Sequence, residues 1–364
     1  MNKSFIFLIL LAIFLSVGVA MTQAQEKKEN PFGVLEFLHW NHSWNNYQYP
    51  DRQTLEKSIS LMKEAGVGSV RIDFIWQDIE PSRGKVDYAK YDMLVDLLWQ
   101  NHIQILGILD YTADWASPSG QWNYPDPDNT LFVKYASGVV QRYKDKVKYW
   151  ELWNEPDSQT YWNPQDGLKG YVKLLKEVYI ALKKIDPYCR ILNGGIANGL
   201  TSVNHLYDNG AQGYFDIMNI HIFETPLDPS AVKRANAFVR LTKKIMARNG
   251  DSEKKIWITE IGCPGVNPVR KVLFSNGVKR GAGVKNWWMG KNPSEEIQAR
   301  WVSEVYDNLL KEKAVERVFW AFFRDTNDHW KNGTDYFGLV RNDFSKKTSF
   351  EAYKEAYQKW SKQL

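Results

Sequence analysis

Two carboxylates stand where short apolar runs give out. Glu155 lies in Trp153-Asn154-Glu155-Pro156, at the end of the run Val147–Trp153, and Glu260 closes Trp257-Ile258-Thr259-Glu260. A carboxyl at the rim of a buried strand is kept protonated by burial or kept ionised by a neighbouring cation. One of each, facing across a sugar, can break an acetal. The first gives a proton to the departing oxygen, and the second attacks the anomeric carbon or directs a water. Neighbouring Val, Tyr, Leu and Trp suit Glu155 to proton donation. Glu260 must stay charged, which calls for an arginine or backbone N–H groups nearby. For each glutamate the competing reading is a structural ion pair.

Arg71, in Val70-Arg71-Ile72-Asp73, is the obvious arginine. It sits in an apolar run, where an unpaired cation is very costly, so it needs a carboxylate partner: Glu260, or Asp73 in a purely structural pair. His221, in Ile220-His221-Ile222-Phe223, is placed to bond the nucleophile region or a substrate hydroxyl, or is a satisfied core histidine. His39, Trp40 and His42 follow the first strand candidate and could line a subsite; Trp320, in Phe319-Trp320-Ala321, could floor a sugar pocket or pack in the core. The histidines are too dispersed for a zinc site and no H-E-x-x-H helix occurs, so no metal is expected. There is no G-x-S-x-G elbow, no phosphate-binding loop and no dinucleotide glycine pattern; Gly194–Gly199 has the wrong spacing. No organic cofactor is expected.

Eight short apolar runs alternate with amphipathic ones from Pro31 onward. The strand candidates are Gly33–Phe37, Ser69–Phe74, Gln104–Leu109, Val147–Trp153, Arg190–Gly195, Phe215–His221, Lys255–Ile261 and Val315–Phe322. Continuous apolar runs suit parallel strands covered on both faces, and eight strand-helix units predict a (β/α)8 TIM barrel. Gly66 and Asp186-Pro187 stop helices; Asn292-Pro293-Ser294-Glu295 reads as an N-cap, a first-position proline and an acidic third position. Residues 31–364 are expected to form one catalytic domain. The loops after strands 3, 7 and 8 are long and carry Trp115 and Trp122, Trp287 and Trp288, and Trp330. They share the barrel face where active sites form, and exposed aromatic rings suit the flat apolar faces of sugars. The five tryptophans are more platforms than one monosaccharide uses, which favours an open cleft acting within a chain.

Before that domain, basic Lys3 and apolar Phe5–Ala20 precede small residues suited to cleavage, so residues 1–24 read as a signal peptide. This implies a secreted or periplasmic protein with no stable membrane insertion after processing. Cys189 and Cys263 are the only cysteines, and a chain this long does not need them paired. The net charge of +5 is scattered; even the cluster around Lys271, Lys279 and Arg280 is too modest for a nucleic-acid surface.

With Arg71, Asn154-Glu155-Pro156, His221, Glu260 and Trp320 within or beside predicted strands in the expected order, Pro31–Lys359 resembles a retaining glycoside hydrolase of clan A. The overall pattern looks most like the family 39, xylosidase-like branch, with the family 5 cellulases the nearest alternative. The resemblance implies Glu155 as acid/base, Glu260 as nucleophile and Asn154 on the sugar 2-hydroxyl. It implies Arg71 and His221 as support on the nucleophile side, with Trp320 under the −1 sugar. Two departures stand out. Phe223 occupies the place of a tyrosine that many clan members bond to the nucleophile, so another tyrosine fills that role or none does. The β-sandwich of family 39 xylosidases has no residues to form it, which leaves endo action on a β-linked polysaccharide or oligosaccharide open beside exo action. A catalytically dead carbohydrate-binding barrel would use the same aromatics, but it needs neither glutamate.

Overall fold

In a computed structural model, which describes residues 29–265, 294–326, 329–330 and 333–363, eight parallel strands alternate with helices. They are β1 (Phe32–Leu35), β2 (Ser69–Ile75), β3 (Gln104–Asp110), β4 (Tyr149–Leu152), β5 (Arg190–Asn193), β6 (Met218–Ile222), β7 (Ile256–Ile261) and β8 (Val315–Ala321). The sheet order is β5-β4-β3-β2-β1-β8-β7-β6. The remaining seam, β5 to β6, is closed by a Leu192–Ile217 bridge and by Asn193, whose side chain donates to Asn219 O at 3.0 Å and accepts from Asn219 N at 2.9 Å. The result is the (β/α)8 barrel that the alternation predicts.

Around it run α1 (Arg52–Ala65), a one-turn α2 (Trp76–Ile79), α3 (Ala89–Gln100), α4 (Thr130–Tyr143), α5 (Lys169–Ile185), α6 (Leu200–Asp208), α7 (Ala231–Arg248), α8 (Glu295–Leu309) and α9 (Thr348–Ser361). Their ends follow local chemistry. Asp51 accepts from Thr54 N at 2.8 Å to open α1, and Gly66, at φ 86°, closes it. The N-cap of α8 is Ser294, which accepts from Ile297 N at 3.1 Å, rather than Asn292; Asn292 and Pro293 lie outside the described residues. The short α2 was not foreseen.

Alternation along each strand sorts the side chains into two populations. Outward residues such as Trp150 and Trp320 pack under the helices. Inward residues fill the barrel in layers. Near its base Leu106, Leu192, Trp257 and Phe319 pack together, and the Arg317 guanidinium lies over the Tyr149 and Trp257 rings. Gly33 makes room for this layer: a Cβ there would lie 2.4 Å from the Phe319 ring, an overlap that costs about 1–3 kcal/mol. Above this plug the inward residues turn polar: Arg71 and Asp73 on β2, Glu151 on β4, Asn219 and His221 on β6. A polar layer on an apolar plug forms the floor of a cleft at the C-terminal end of the strands. Cys189 and Cys263 are both buried and unpaired.

Candidate active site

Glu260 reaches the floor because β7 is irregular. Ile220 pairs with Ile258 but His221 pairs with Glu260, so Thr259 is an extra residue on β7. Such a bulge re-aims side chains. Here Thr259 and Glu260, although successive, both turn toward the barrel interior. Thr259 Oγ1 donates to Asn219 Oδ1 at 2.7 Å, and Glu260 Oε1 accepts from Arg71 Nη1 at 2.7 Å. Arg71 makes three further hydrogen bonds. Its Nε and Nη2 donate to Glu151 at 2.7 and 2.8 Å, and Nη2 also donates to Asn154 Oδ1 at 2.8 Å. Glu151, wholly buried, takes a further bond from Gly195 N at 3.1 Å. The arginine therefore pairs with Glu151 and Glu260 rather than with Asp73. It fixes Asn154 and Glu260 relative to each other.

Glu155 follows a contorted stretch. Trp153 and Glu155 both have left-handed backbones, with φ of 65° and 40°. That costs non-glycine residues energy and must be enforced from outside. Trp153 N donates to Leu109 O, its indole N–H donates to Tyr161 O, and Asp157 accepts from the backbone of Ala197 and Asn198. The turn lifts Glu155 off the strand and into the cleft. Burial, reinforced by the Asp157 charge, pushes its carboxyl up to about 8. Burial also raises the Glu260 carboxyl, and the Arg71 guanidinium bonded to it pulls the other way.

His221 joins the two glutamates. Its Nδ1 lies 2.8 Å from Glu155 Oε1, and its Nε2 lies 3.0 Å from Thr259 Oγ1 and 3.8 Å from Glu260 Oε1. Its hydrogen bond thus goes to the acid/base candidate and not to the nucleophile candidate that it was expected to support. Burial keeps the ring neutral. Thr259 gives its one proton to Asn219, so Nε2 must carry the ring hydrogen and donate to Thr259. Nδ1 is then a bare acceptor, and Glu155 must be the donor. The chain holds Glu155 as the acid. A side chain at position 195 would close it, because a Cβ there falls 1.9 Å from His221 Nε2.

One ligating atom from each of Glu155, His221 and Glu260 lies within 4.8 Å of the others, close enough to bridge a small cation. The positive charge at that place is already supplied by the Arg71 guanidinium on Glu260. The same limit bounds the gap between the two carboxyl groups, and a sugar C1 would fit in it.

The remaining expected residues divide. His39 is buried with its Nε2 3.7 Å from Asp73 Oδ2, while His42 bonds with Asp78 and Lys90 at the rim. Trp320 does not floor the pocket. It faces outward from β8, is wholly buried, and donates to Phe337 O at 2.8 Å. Trp115 also packs: its edge meets Trp76 and its N–H is spent on Glu80 O. Trp122 is 42 % exposed and joins Tyr111 and Tyr161 in one aromatic group. Trp330 stacks on Phe322 and, with Phe37, Trp40 and the 54 % exposed Trp44, makes a second group on the loops after β1 and β8. Trp287 and Trp288, like residues 1–24 and the Lys271, Lys279, Arg280 cluster, lie outside the described residues.

Sequence reasoning missed Glu151, Asp110, Tyr111 and Tyr161. The Tyr161 hydroxyl sits in the fields of Glu155 and Glu260, and burial holds its proton tightly. It is a candidate for the hydroxyl role that Phe223 lacks. Alternation with Tyr149 could have revealed Glu151; Tyr161 had no such signal, since it lies in a loop.

Known proteins resemble this arrangement. The family model for cellulase (glycosyl hydrolase family 5) matches residues 25–260. Endo-1,4-beta-xylanase 3 of Hypocrea jecorina is 28 % identical over 167 residues, which is 40 % of this chain and 46 % of the xylanase, so the match spans less than half of that relative. Among solved structures, a family 39 glycoside hydrolase from the gut symbiont Bacteroides cellulosilyticus superposes with a TM-score of 0.68 at 23 % identity, covering 91 % of this chain and 64 % of the other. A variant of GH5_18 from Streptomyces cattleya in complex with Manb1-4GlcNAc reaches 0.70 at 15 % identity, covering 92 % and 82 %. At such identities the structural likeness is one of fold.

Proposed function

The chain belongs to glycosyl hydrolase family 5, the cellulase family, and on that premise we propose that it cleaves a β-linked glycan with retention of configuration. The observation that carries the reading is the pair itself. One oxygen of Glu155 and one of Glu260 lie within 4.8 Å, a spacing that supports the roughly 5–5.5 Å carboxyl separation of retaining enzymes. Glu155, high in pKa and bonded to a neutral histidine, protonates the glycosidic oxygen. Glu260 attacks C1 and forms a glycosyl ester as the bond to the leaving oxygen breaks. Glu155, now ionised, takes a proton from the water that hydrolyses the ester. Asn154, oriented by Arg71, receives the sugar 2-hydroxyl.

Endo action is part of the proposal. Exposed Trp122 and Trp44 belong to aromatic groups on different pairs of loops, a layout suited to several sugar units. The apolar leader supports secretion or a periplasmic site. Digestion of xylan, mannan, β-1,4-glucan and β-1,3-glucan, with early product length and anomeric configuration followed together, tests the enzymology. Early β-configured oligosaccharides of mixed length are expected. Monosaccharide as the only early product would overturn the endo reading, and α-configured products would overturn retention.

A further inference from the structure

Asp73 is the next inward residue above Arg71 on β2, and Asp110 ends β3 beside it. Asp110 is wholly buried, whereas the Asp73 side chain keeps 11 % exposure and is the member that meets the cleft. Both Asp110 oxygens are buried without a hydrogen-bond partner, and two carboxyl groups this close in a buried place repel each other as charges, so the pair favours holding one proton between them. Burial, with the Asp73 charge added, pushes Asp110 well above the ordinary range. Burial raises Asp73 only to about 6, because Arg71 pulls it down. The proton rests on Asp110 and the charge on Asp73.

Arg71 acts on that charge through space, but among the described residues no side-chain donor is hydrogen-bonded to Asp73. Arg71 makes its four bonds to Glu151, Glu260 and Asn154. Lys90 is committed to Asp78. His39 is buried with both ring nitrogens unpartnered, and its Nε2 lies 3.7 Å from Asp73, too far for a hydrogen bond. Burial holds that ring neutral, at about 3. An anionic acceptor and an unsatisfied imidazole thus share the floor beside the arginine of the nucleophile, and neither is used in the acid or nucleophile steps. Buried polar groups are seldom left without partners unless function supplies one.

We propose that Asp73 is a specificity-determining residue of the −1 site, accepting a hydrogen bond from a donor on the glycone ring, with Asp110 and His39 holding it for that contact. This rests on the glycosidase reading of Glu155 and Glu260. The donor is a hydroxyl of a neutral sugar or the ammonium of an amino sugar, since either presents a proton to an anionic oxygen.

Wild type, D73A, D73N and D110N are compared on 4-nitrophenyl β-glycosides of glucose, mannose, xylose and glucosamine, and on monodeoxy analogues of those turned over. One deoxy position should cost the wild type on the order of 10–100-fold in kcat/KM, the worth of a hydrogen bond to a charged group. D73A should cost a similar factor on the parent glycoside, and the two losses should not add, leaving D73A equal on parent and analogue within about threefold. The isosteric D73N should behave as D73A. D110N, which keeps an N–H toward Asp73, should lose about tenfold less than D73N. A glucosaminide preference that disappears in D73N identifies the ammonium; a deoxy effect on a neutral sugar identifies the hydroxyl. The proposal is overturned if D73A and D73N lower parent and every analogue by one factor, or if D110N matches D73N. A wild type that cleaves no glycoside and no polysaccharide would instead sink the glycosidase reading, and this inference with it.

Discussion

Arg71→Met separates electrostatic support from packing. The substitution keeps most of the side-chain volume and removes the 2.7 Å bond to Glu260. A hydrogen bond between charged groups is worth about 1.5–3 kcal/mol, and one pKa unit about 1.36 kcal/mol, so the Glu260 carboxyl should rise by about 1–2 units. The nucleophile works only when ionised. Activity is therefore lost as pH falls through its pKa, and raising that pKa must move the acid limb of kcat/KM upward by the same amount. Stability should fall too, because wholly buried Glu151 loses its cation; breaking such a pair costs about 3–5 kcal/mol. The double variant Arg71→Met/Glu151→Gln discriminates. Removing both partners should recover much of the melting temperature, but the acid limb should stay displaced. The assay is a pH–rate profile beside a thermal melt of each variant. An acid limb that stays at the parent pH in both variants, with only the melt changed, would refute the electrostatic role and leave Arg71 a packing element.

Glu260→Ala should abolish turnover, with azide yielding a glycosyl azide of inverted configuration; Glu155→Ala should keep activity on good leaving groups and yield the retained azide, and exchanged configurations would reverse the two roles. His221→Ala removes the acceptor that favours protonated Glu155, so the alkaline limb, set near 8 by Glu155, should move down by roughly one unit; an upward move would contradict the assigned direction of that bond. Tyr161→Phe should lower kcat more than it raises KM if its hydroxyl serves the nucleophile side, and an unchanged kcat would remove it from the site. Glu36, Asp73, Glu155 and Asp325 are raised by burial to about 7, 6, 8 and 6. The folded protein thus holds protons that the unfolded chain releases near the ordinary carboxyl pKa of about 4. The stabilisation they contribute is complete below that value and is lost progressively as pH rises from about 4 through the folded values of 6–8, so calorimetric melting temperature should decline across that window and not climb.

The alternation of apolar and amphipathic runs was sufficient to recover all eight strands and the barrel, because buried parallel strands need continuous apolar residues whatever surrounds them. Strand ends were less legible. Val147–Trp153 shortens to Tyr149–Leu152, since Trp153 turns left-handed under bonds from other loops. The positions of Glu155 and Glu260 at strand ends were also readable, as was the need of Arg71 for a carboxylate. What the sequence could not convey is the side to which a residue turns. Trp320 neighbours inward-facing Phe319 and Ala321, and one step along β8 sends its indole under the helices. Glu260 follows inward-facing Thr259 and would point away, but the bulge against β6 brings it back to Arg71. The choice of Glu151 over Asp73 as the second partner of Arg71 and the bond of His221 to Glu155 depend on distances across the barrel. The sequence alone determined which residues could act. Their bonding was decided by tertiary structure, because a strand fixes only neighbours along its own axis, while closure of the barrel, the bulge and the strained turn set which side chains meet inside it.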